Sequence, residues 1–509
     1  MRSICACFLA AAVAALVLVF TLEPLMGHDL FWHLKAGEVM LANREILRSD
    51  IFSYTAYGAP WINSEWLSQI VFAVLYRLGG LDVFVIFKTA MMGLIAGLVY
   101  KVSRTLGLSR PSSAWAAVMV VIFSHLRIQA RPHMITDALT ALYLLVIVRY
   151  IGGKGRSLWF LLPIQVFWAN AHGGAIFGVM MLALAAAGEW LQTLFAGGPP
   201  AIERKRRIHL VVIALLSAIA CLIYPWGTHF YDFIYQLVFS MNTIVQNTWE
   251  WTPSWEATLD KVIYVTAFRV FLVVTLVSFI VNRKRARLSH LFIVCVVSVM
   301  AFNASRFIAQ FFIICSPIAL ANFRSAFASE REGSAILPVW MHAAVILNIA
   351  LFFAWFGVPT SFDLIYRRHL GFGVEKGMHP VNAVDFLEGH DIHGRVLNSM
   401  HWGGYLIFRR WPGEKVHIDG RTPIFGEKFY ENYIDSLRNT GNFGDYLERF
   451  DIDYVLISPV FKYLHRFLWE DPRWALVFAD DMSYLYLRRD PKFERLIGRY
   501  AMQRHPLFD

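Results

Sequence analysis

Gly27-His28-Asp29-Leu30-Phe31-Trp32-His33-Leu34-Lys35 decides how this chain is read. It comes directly after an apolar run over 3–22. A run of about 20 such residues is long enough to cross a bilayer. An acidic residue flanked by histidines therefore stands where a spanning helix meets water. The run carries no persuasive small-residue cleavage site, so it reads as a retained helix rather than a signal peptide.

The rest of the chain supports that reading. Of 509 residues, 57% are hydrophobic and only 17% charged, against about 25% charged in soluble globular proteins. Mean hydropathy is +0.48. These values exclude a cytosolic enzyme, a disordered chain and a disulfide-stapled secreted domain. Ten further candidate spans follow the first, at 82–100, 112–126, 134–150, 157–171, 174–194, 208–225, 262–281, 288–302, 306–323 and 335–356. The five cysteines, Cys5, Cys7, Cys221, Cys295 and Cys315, all lie in apolar stretches and read as buried thiols.

Charge orients the helices. Of the 47 basic and 37 acidic residues, 20 and 21 fall after residue 360, leaving 27 and 16 in the apolar part. Basic clusters occur at 101–110, 149–156, 203–207, 282–287 and 324–331. With eleven spans and a cytoplasmic N-terminus, all of them face the cytoplasm, as the positive-inside rule requires. The first outer loop (23–81), the loop 226–260 and everything after 357 then lie outside. No aromatic-interleaved basic stripe suggests nucleic acid as a partner.

The last 150 residues change character. Short strand-like runs GRVLN (394–398), KVHIDGR (415–421), DYVLIS (453–458), WALVFAD (474–480) and SYLYLRR (483–489) alternate with helical patterns such as 380–388. The last two runs, joined at Asp480-Asp481-Met482, predict a β-hairpin. The expected fold class is an α-helical polytopic membrane protein with about eleven spans (1–356) and a C-terminal extracytoplasmic α/β domain (357–509).

Polar residues near membrane depth are costly and point to function. On the outer side stand His28, Asp29, His33, Lys35 and Glu65 in the first loop, Arg131 and His133 between spans three and four, Asn170 and His172 between five and six, and Arg306 between nine and ten. Lys88 lies near the outer end of span two, where snorkelling is the plain reading and lining a donor cavity the alternative. Such a set suits a reaction on an anionic lipid carrier. Arg131 and Arg306 fit a phosphate, because guanidinium binds it in bidentate fashion. Asp29 fits a general base for an acceptor hydroxyl, or else an N-cap of a helix beginning at Leu30. Trp249-Glu250-Trp251 reads as interfacial belt or as a re-entrant acceptor loop. Asp419-Gly420-Arg421 reads as a turn held by Arg421, and Trp402-Gly403-Gly404-Tyr405 as a tight turn or a sugar-stacking site.

This layout resembles the GT-C glycosyltransferase superfamily, which includes protein O-mannosyltransferases, oligosaccharyltransferases and aminoarabinose transferases. Asp29 matches the first-loop catalytic acid, and D-L-F-W-H-L-K is similar to the oligosaccharyltransferase first loop. The segments 29–66, 131–133, 170–174 and 417–421 resemble a group of uncharacterised bacterial GT-C-like membrane proteins. The resemblance implies an inverting transfer of sugar from a polyprenyl-phosphate donor to an acceptor hydroxyl at the outer face of a bacterial inner membrane. Asp29 would be catalytic, Arg131, Arg306 and Lys88 would bind phosphate, and His28, His33, Lys35, Glu65, His133, Asn170 and His172 would contact substrate. Metal-dependent members carry D-x-D, whereas this loop has a lone Asp29, so the resemblance gives no certain cofactor. A divalent metal between His28, Asp29 and His33 stays open, although that spacing is no standard ligand set. The rivals are a flippase of lipid-linked sugar and a non-catalytic envelope assembly protein. Polar groups gathered at one rim, with no internal repeat, speak against a transporter.

Overall fold

In the computed structural model, residues 2–155, 157–194, 198–239, 250–256, 262–327 and 370–508 are described. Ten of the eleven predicted spans fall on helices; the eleventh, 335–356, lies outside the described residues. The helices are α1 (Arg2–Thr21), α2 (Leu30–Asn43), α3 (Trp66–Gly79), α4 (Asp82–Thr105), α5 (Arg110–Phe123), α6 (His133–Ile151), α7 (Leu161–Ala171), α8 (Ile176–Leu191) and α9 (Arg204–Ala220). They continue with α10 (His229–Phe239), α11 (Val262–Val281), α12 (Leu288–Asn303) and α13 (Ile308–Phe327). Among the described residues, five segments are long and apolar enough to cross a membrane: α4, α6, Tyr264–Val281 within α11, Gly173–Leu194, which contains α8, and Ser305–Phe327, which contains α13.

Local chemistry sets the helix ends. The Ser109 hydroxyl accepts the Ser112 N–H at 3.3 Å and Pro111 sits in the first turn of α5, which satisfies one orphan donor and removes another. Small residues let backbones close up: a Cβ on Gly188 would lie 2.3 Å from Ser289 Cα, so α8 and α12 meet at glycine. Helix α13 packs against α5, α6, α11 and α12 and is buried from Ile308 through Leu320. Pro317 lies inside it, a substitution that membrane helices tolerate better than soluble ones. Among the described cysteines, Cys221 and Cys315 are buried as expected, whereas Cys295 is exposed.

The chain divides into two compact units. The first comprises Met1–Leu25, Leu81–Phe230 and Thr248–Gly373; the second comprises Met26–Gly80, Tyr231–Asn247 and Val374–Asp509. The first loop thus groups with the polar tail.

In the second unit, α14 (Val381–Gly389), β1 (Val396–Asn398), α15 (Met400–Arg410), α16 (Thr422–Phe425), α17 (Glu427–Arg438), α18 (Thr440–Arg449), β2 (Tyr454–Ile457), α19 (Lys462–Glu470), β3 (Trp474–Ala479), β4 (Tyr484–Arg488) and α20 (Glu494–Tyr500) follow in order. The sheet runs β1-β2-β4-β3, with β1 and β2 parallel and the other pairs antiparallel. The hairpin β3–β4 forms where predicted, because Asp480 Oδ1 accepts N–H groups from Met482 at 2.9 Å and Ser483 at 2.7 Å. Strand β2 is buried on both faces, and Leu397, Val455, Ile457, Leu476 and Tyr486 lie in the core beneath the helices. Burying each such side chain contributes about 1.5–3 kcal/mol.

Two predictions for the tail are corrected. KVHIDGR forms no strand beyond a single bridge, Val416 to Ser53, because its last three residues close an ionic turn. Trp402-Gly403-Gly404-Tyr405 is neither turn nor sugar platform: it lies within α15, with Trp402 buried. Its glycines allow close approach, since a Cβ on Gly403 would meet Ile418 O at 2.1 Å and one on Gly404 would meet His28 O at 2.8 Å.

Candidate active site

Asp29 occupies the N-cap position of α2, but its side chain makes no capping bond. Its Oδ1 instead accepts the Trp32 indole N–H at 3.2 Å. A Cβ on Gly420 would lie 2.3 Å from the same oxygen, so only glycine lets the 419–421 turn come this near. The other first-loop candidates surround it unevenly. His28 meets the rings of His379 (5.2 Å) and His401 (5.1 Å). His33 lies against Trp32 (3.6 Å between rings), with Nε2 3.8 Å from Glu65. Lys35 pairs with Glu38 at 2.9 Å and lies over Phe408. Among the described residues no group of three or more histidine, cysteine or carboxylate side chains is arranged to hold a metal ion. Asp29 is directed to Trp32 and His33 to Glu65, so with His28 they do not fit the metal site considered above.

Behind Asp29 lies an ion triad. Arg421 Nη2 donates to Asp419 Oδ2 at 2.6 Å and to Asp50 Oδ1 at 2.7 Å, and Arg421 Nε donates to Asp419 Oδ1 at 2.8 Å. All three residues are buried. Such a set holds only if its lone pairs are satisfied. Asp50 Oδ2 accepts from Ser53 N (3.1 Å) and Ser53 Oγ (2.5 Å), and Asp50 Oδ1 from Phe52 N (3.1 Å). The Arg421 guanidinium lies against the rings of Trp61 (4.8 Å) and Phe52 (5.0 Å). Next to it, His417 is hydrogen-bonded to Tyr54 Oη (2.7 Å) and Tyr446 Oη (2.6 Å), and burial pushes it down to about 3, which keeps it neutral. A cavity of about 210 Å³ opens here, lined by Trp32, Trp61, Asn63, Glu65, Gly420 and Arg421 among others.

The first unit holds a second ionic cluster. Glu250 Oε2 is 2.6 Å from Arg127 Nη1, and Glu250 Oε1 is 2.5 Å from Arg131 Nη1. Arg306 lies over the Trp251 ring at 4.2 Å and donates its backbone N–H to Glu250 O at 2.9 Å. Burial alone would raise the Glu250 carboxyl, yet Arg127, Arg131 and Arg306 hold it well below the usual range. His133 Nε2 is 2.7 Å from Arg127 O and fixes the turn carrying these arginines. The segment after Glu250 folds back on the α12–α13 junction, with Ser305 N donating to Thr252 O (3.1 Å) and Ser254 N to Phe302 O (2.9 Å). The remaining candidates in this unit have other partners. Lys88 is buried, 3.8 Å from Glu23. Asn170 donates to Val166 O and Ile223 O, both at 2.8 Å. His172 Nδ1 accepts the Gly174 N–H at 2.9 Å, and the Thr136 hydroxyl is 2.9 Å away.

Comparison with solved structures bears on the fold. The Archaeoglobus fulgidus oligosaccharyltransferase tethered to an acceptor peptide is 14% identical, with TM-score 0.58, over 95% of this chain and 74% of that one. Its apo form is 13% identical with TM-score 0.55, over 96% and 74%. The chain has a GT-C-like fold. Cupriavidus metallidurans ArnT bound to undecaprenyl phosphate is a looser likeness, at 14% identity and TM-score 0.47 over 98% and 99%. No protein-family model and no curated protein sequence matches.

Sequence reading placed Arg127 and Glu250 on the outer side with Arg131 and Arg306, but gave a phosphate-binding role only to Arg131 and Arg306. The signal for Glu250 was present, an acid between two tryptophans, but a tryptophan pair reads first as interface. Asp50 was missed because its partner lies some 370 residues away in sequence.

Proposed function

We propose that the chain is an integral membrane glycosyltransferase that moves a sugar from a polyprenyl-phosphate donor to an acceptor hydroxyl on the extracytoplasmic face. In this reading the chain spans a bacterial inner membrane eleven times, with the N-terminus inside and the tail outside. The observation that carries the reading is Asp29: a carboxylate that caps nothing, is oriented by Trp32, and is pressed against Gly420 beside an open cavity.

Asp29 takes the proton of the acceptor hydroxyl, and the oxygen attacks the anomeric carbon as the bond to the phosphate oxygen breaks. The electron pair leaves with the polyprenyl phosphate, and the anomeric centre inverts. Phosphate is a good leaving group, so no strong acid is needed. Arg127, Arg131 and Arg306 carry three positive charges against the carboxyls of Glu250 and Asp137, a surplus that suits the donor phosphate. His133 acts through the Arg127 turn. No step is assigned to a metal.

The test is Asp29→Asn in the full-length protein, with transfer from a polyprenyl-phosphate sugar as readout. Turnover should fall by about 10²–10⁴-fold, the range for losing a general base, with the melting temperature unchanged. Normal transfer by the variant refutes the assignment. A flippase would move lipid-linked sugar across vesicles regardless of Asp29.

A further inference from the structure

We propose that the cavity beside Asp29 receives one neutral or amino sugar ring and discriminates against anionic sugars; this deepens the glycosyl-transfer reading above and rests on it. Size comes first. At about 210 Å³ the cavity falls below the roughly 300–1,000 Å³ of sites that enclose drug-sized ligands, so it suits a single ring. The wall chemistry fits a carbohydrate, because the indoles of Trp32 and Trp61 offer flat apolar surface with a polar edge.

Charge supplies the selectivity. Glu65 and Arg421 are the charged residues that line the cavity. The single positive charge of Arg421 is outweighed by Asp50 and Asp419, both in contact with it. Asp29 lies just behind Trp32 and Gly420. The surroundings are therefore negative on balance, and an incoming carboxylate or phosphate meets repulsion at short range. Arg421 Nε and Nη2 serve the two aspartates and Nη1 is buried, so the guanidinium is already engaged by carboxylates when a ligand arrives. Glu65, which also lies 3.8 Å from His33 Nε2, accepts from a sugar hydroxyl or attracts an amine. Asn63 is less available, since its amide is exchanged with Gln69 at 2.7 and 2.8 Å.

The test needs no donor. Methyl glucoside, glucosamine and glucuronate are titrated into the purified full-length protein at pH 7, and binding is followed calorimetrically. Methyl glucoside and glucosamine should bind saturably, and glucuronate at least about tenfold more weakly. Ile424→Trp, which fills the cavity from a partly exposed wall position, should abolish binding while leaving the melting curve in place. Glu65→Gln should bring glucuronate to within about threefold of methyl glucoside. Equal or tighter binding of glucuronate by the wild type overturns the proposal. So does the absence of binding by any of the three, or binding that survives Ile424→Trp. Because no donor is present, intact binding without transfer would refute only the enzyme reading, and transfer to an anionic acceptor only this inference.

Discussion

Two ionic clusters, one in each unit, are built with opposite sign. In the first unit the guanidiniums of Arg127 and Arg131 contact one carboxylate, Glu250, and the charge of Arg306 acts on it from nearby. In the second, two carboxylates clasp one guanidinium, Arg421. The first is partly exposed and the second fully buried, and the leftover charge differs, positive in one and negative in the other. A surplus of guanidinium suits an anionic ligand. A surplus of carboxylate suits hydroxyls and amines, and leaves Asp29 beside it poised to take a proton rather than to hold a phosphate. The contrast also separates ligand binding from architecture. Arg421 joins the first loop to the tail turn through Asp50 and Asp419, so it carries fold as well as site.

That difference can be broken by mutation. Arg421→Met leaves Asp50 and Asp419 buried without a counter-charge and should destabilise the protein by about 3–5 kcal/mol, read as a fall in thermal or denaturant midpoint. Unchanged stability would mean the second cluster is not the clasp described. Gly420→Ala is subtler. Its new methyl would lie 2.3 Å from Asp29 Oδ1 and must push the carboxylate aside. Displacement on the scale of 1 Å costs about 10²-fold in rate, so transfer should drop that far with the melting curve nearly unchanged; full activity would detach Asp29 from the turn.

The smallest effect is in pH. His417 is held neutral at about 3 against an ordinary value of 6.5. The unfolded chain therefore binds more protons below 6.5, and the stability this group contributes is fully present above pH 6.5 and is lost as pH falls toward 3. His417→Gln should flatten the stability–pH slope in that window. The Glu250 carboxyl, held well below its usual range, contributes almost no slope between about pH 6 and 8.

The sequence was most legible where a single periodic signal decides. Apolar runs of about 20 residues gave ten described helices, and Asp480-Asp481-Met482 gave the hairpin. It was least legible where distant residues share one charge. Nothing near Asp50 announces Arg421, and nothing in 249–251 announces Arg127. KVHIDGR carries β-branched residues at strand spacing, but the pairing of Asp419 with Arg421 fixes a turn that overrides them. Trp402-Gly403-Gly404-Tyr405 looks like a loop because glycine is costly in a helix. Its two glycines earn their place by the approach of 418 and 28, which only the folded chain displays.

The most direct measurement compares Arg131→Gln with Asp29→Asn for binding of polyprenyl phosphate to the purified full-length protein. The account predicts that Arg131→Gln weakens binding by roughly 10–100-fold, as expected for a lost hydrogen bond to a charged group, whereas Asp29→Asn binds the lipid as the wild type does. Wild-type affinity in Arg131→Gln together with lost affinity in Asp29→Asn would contradict it.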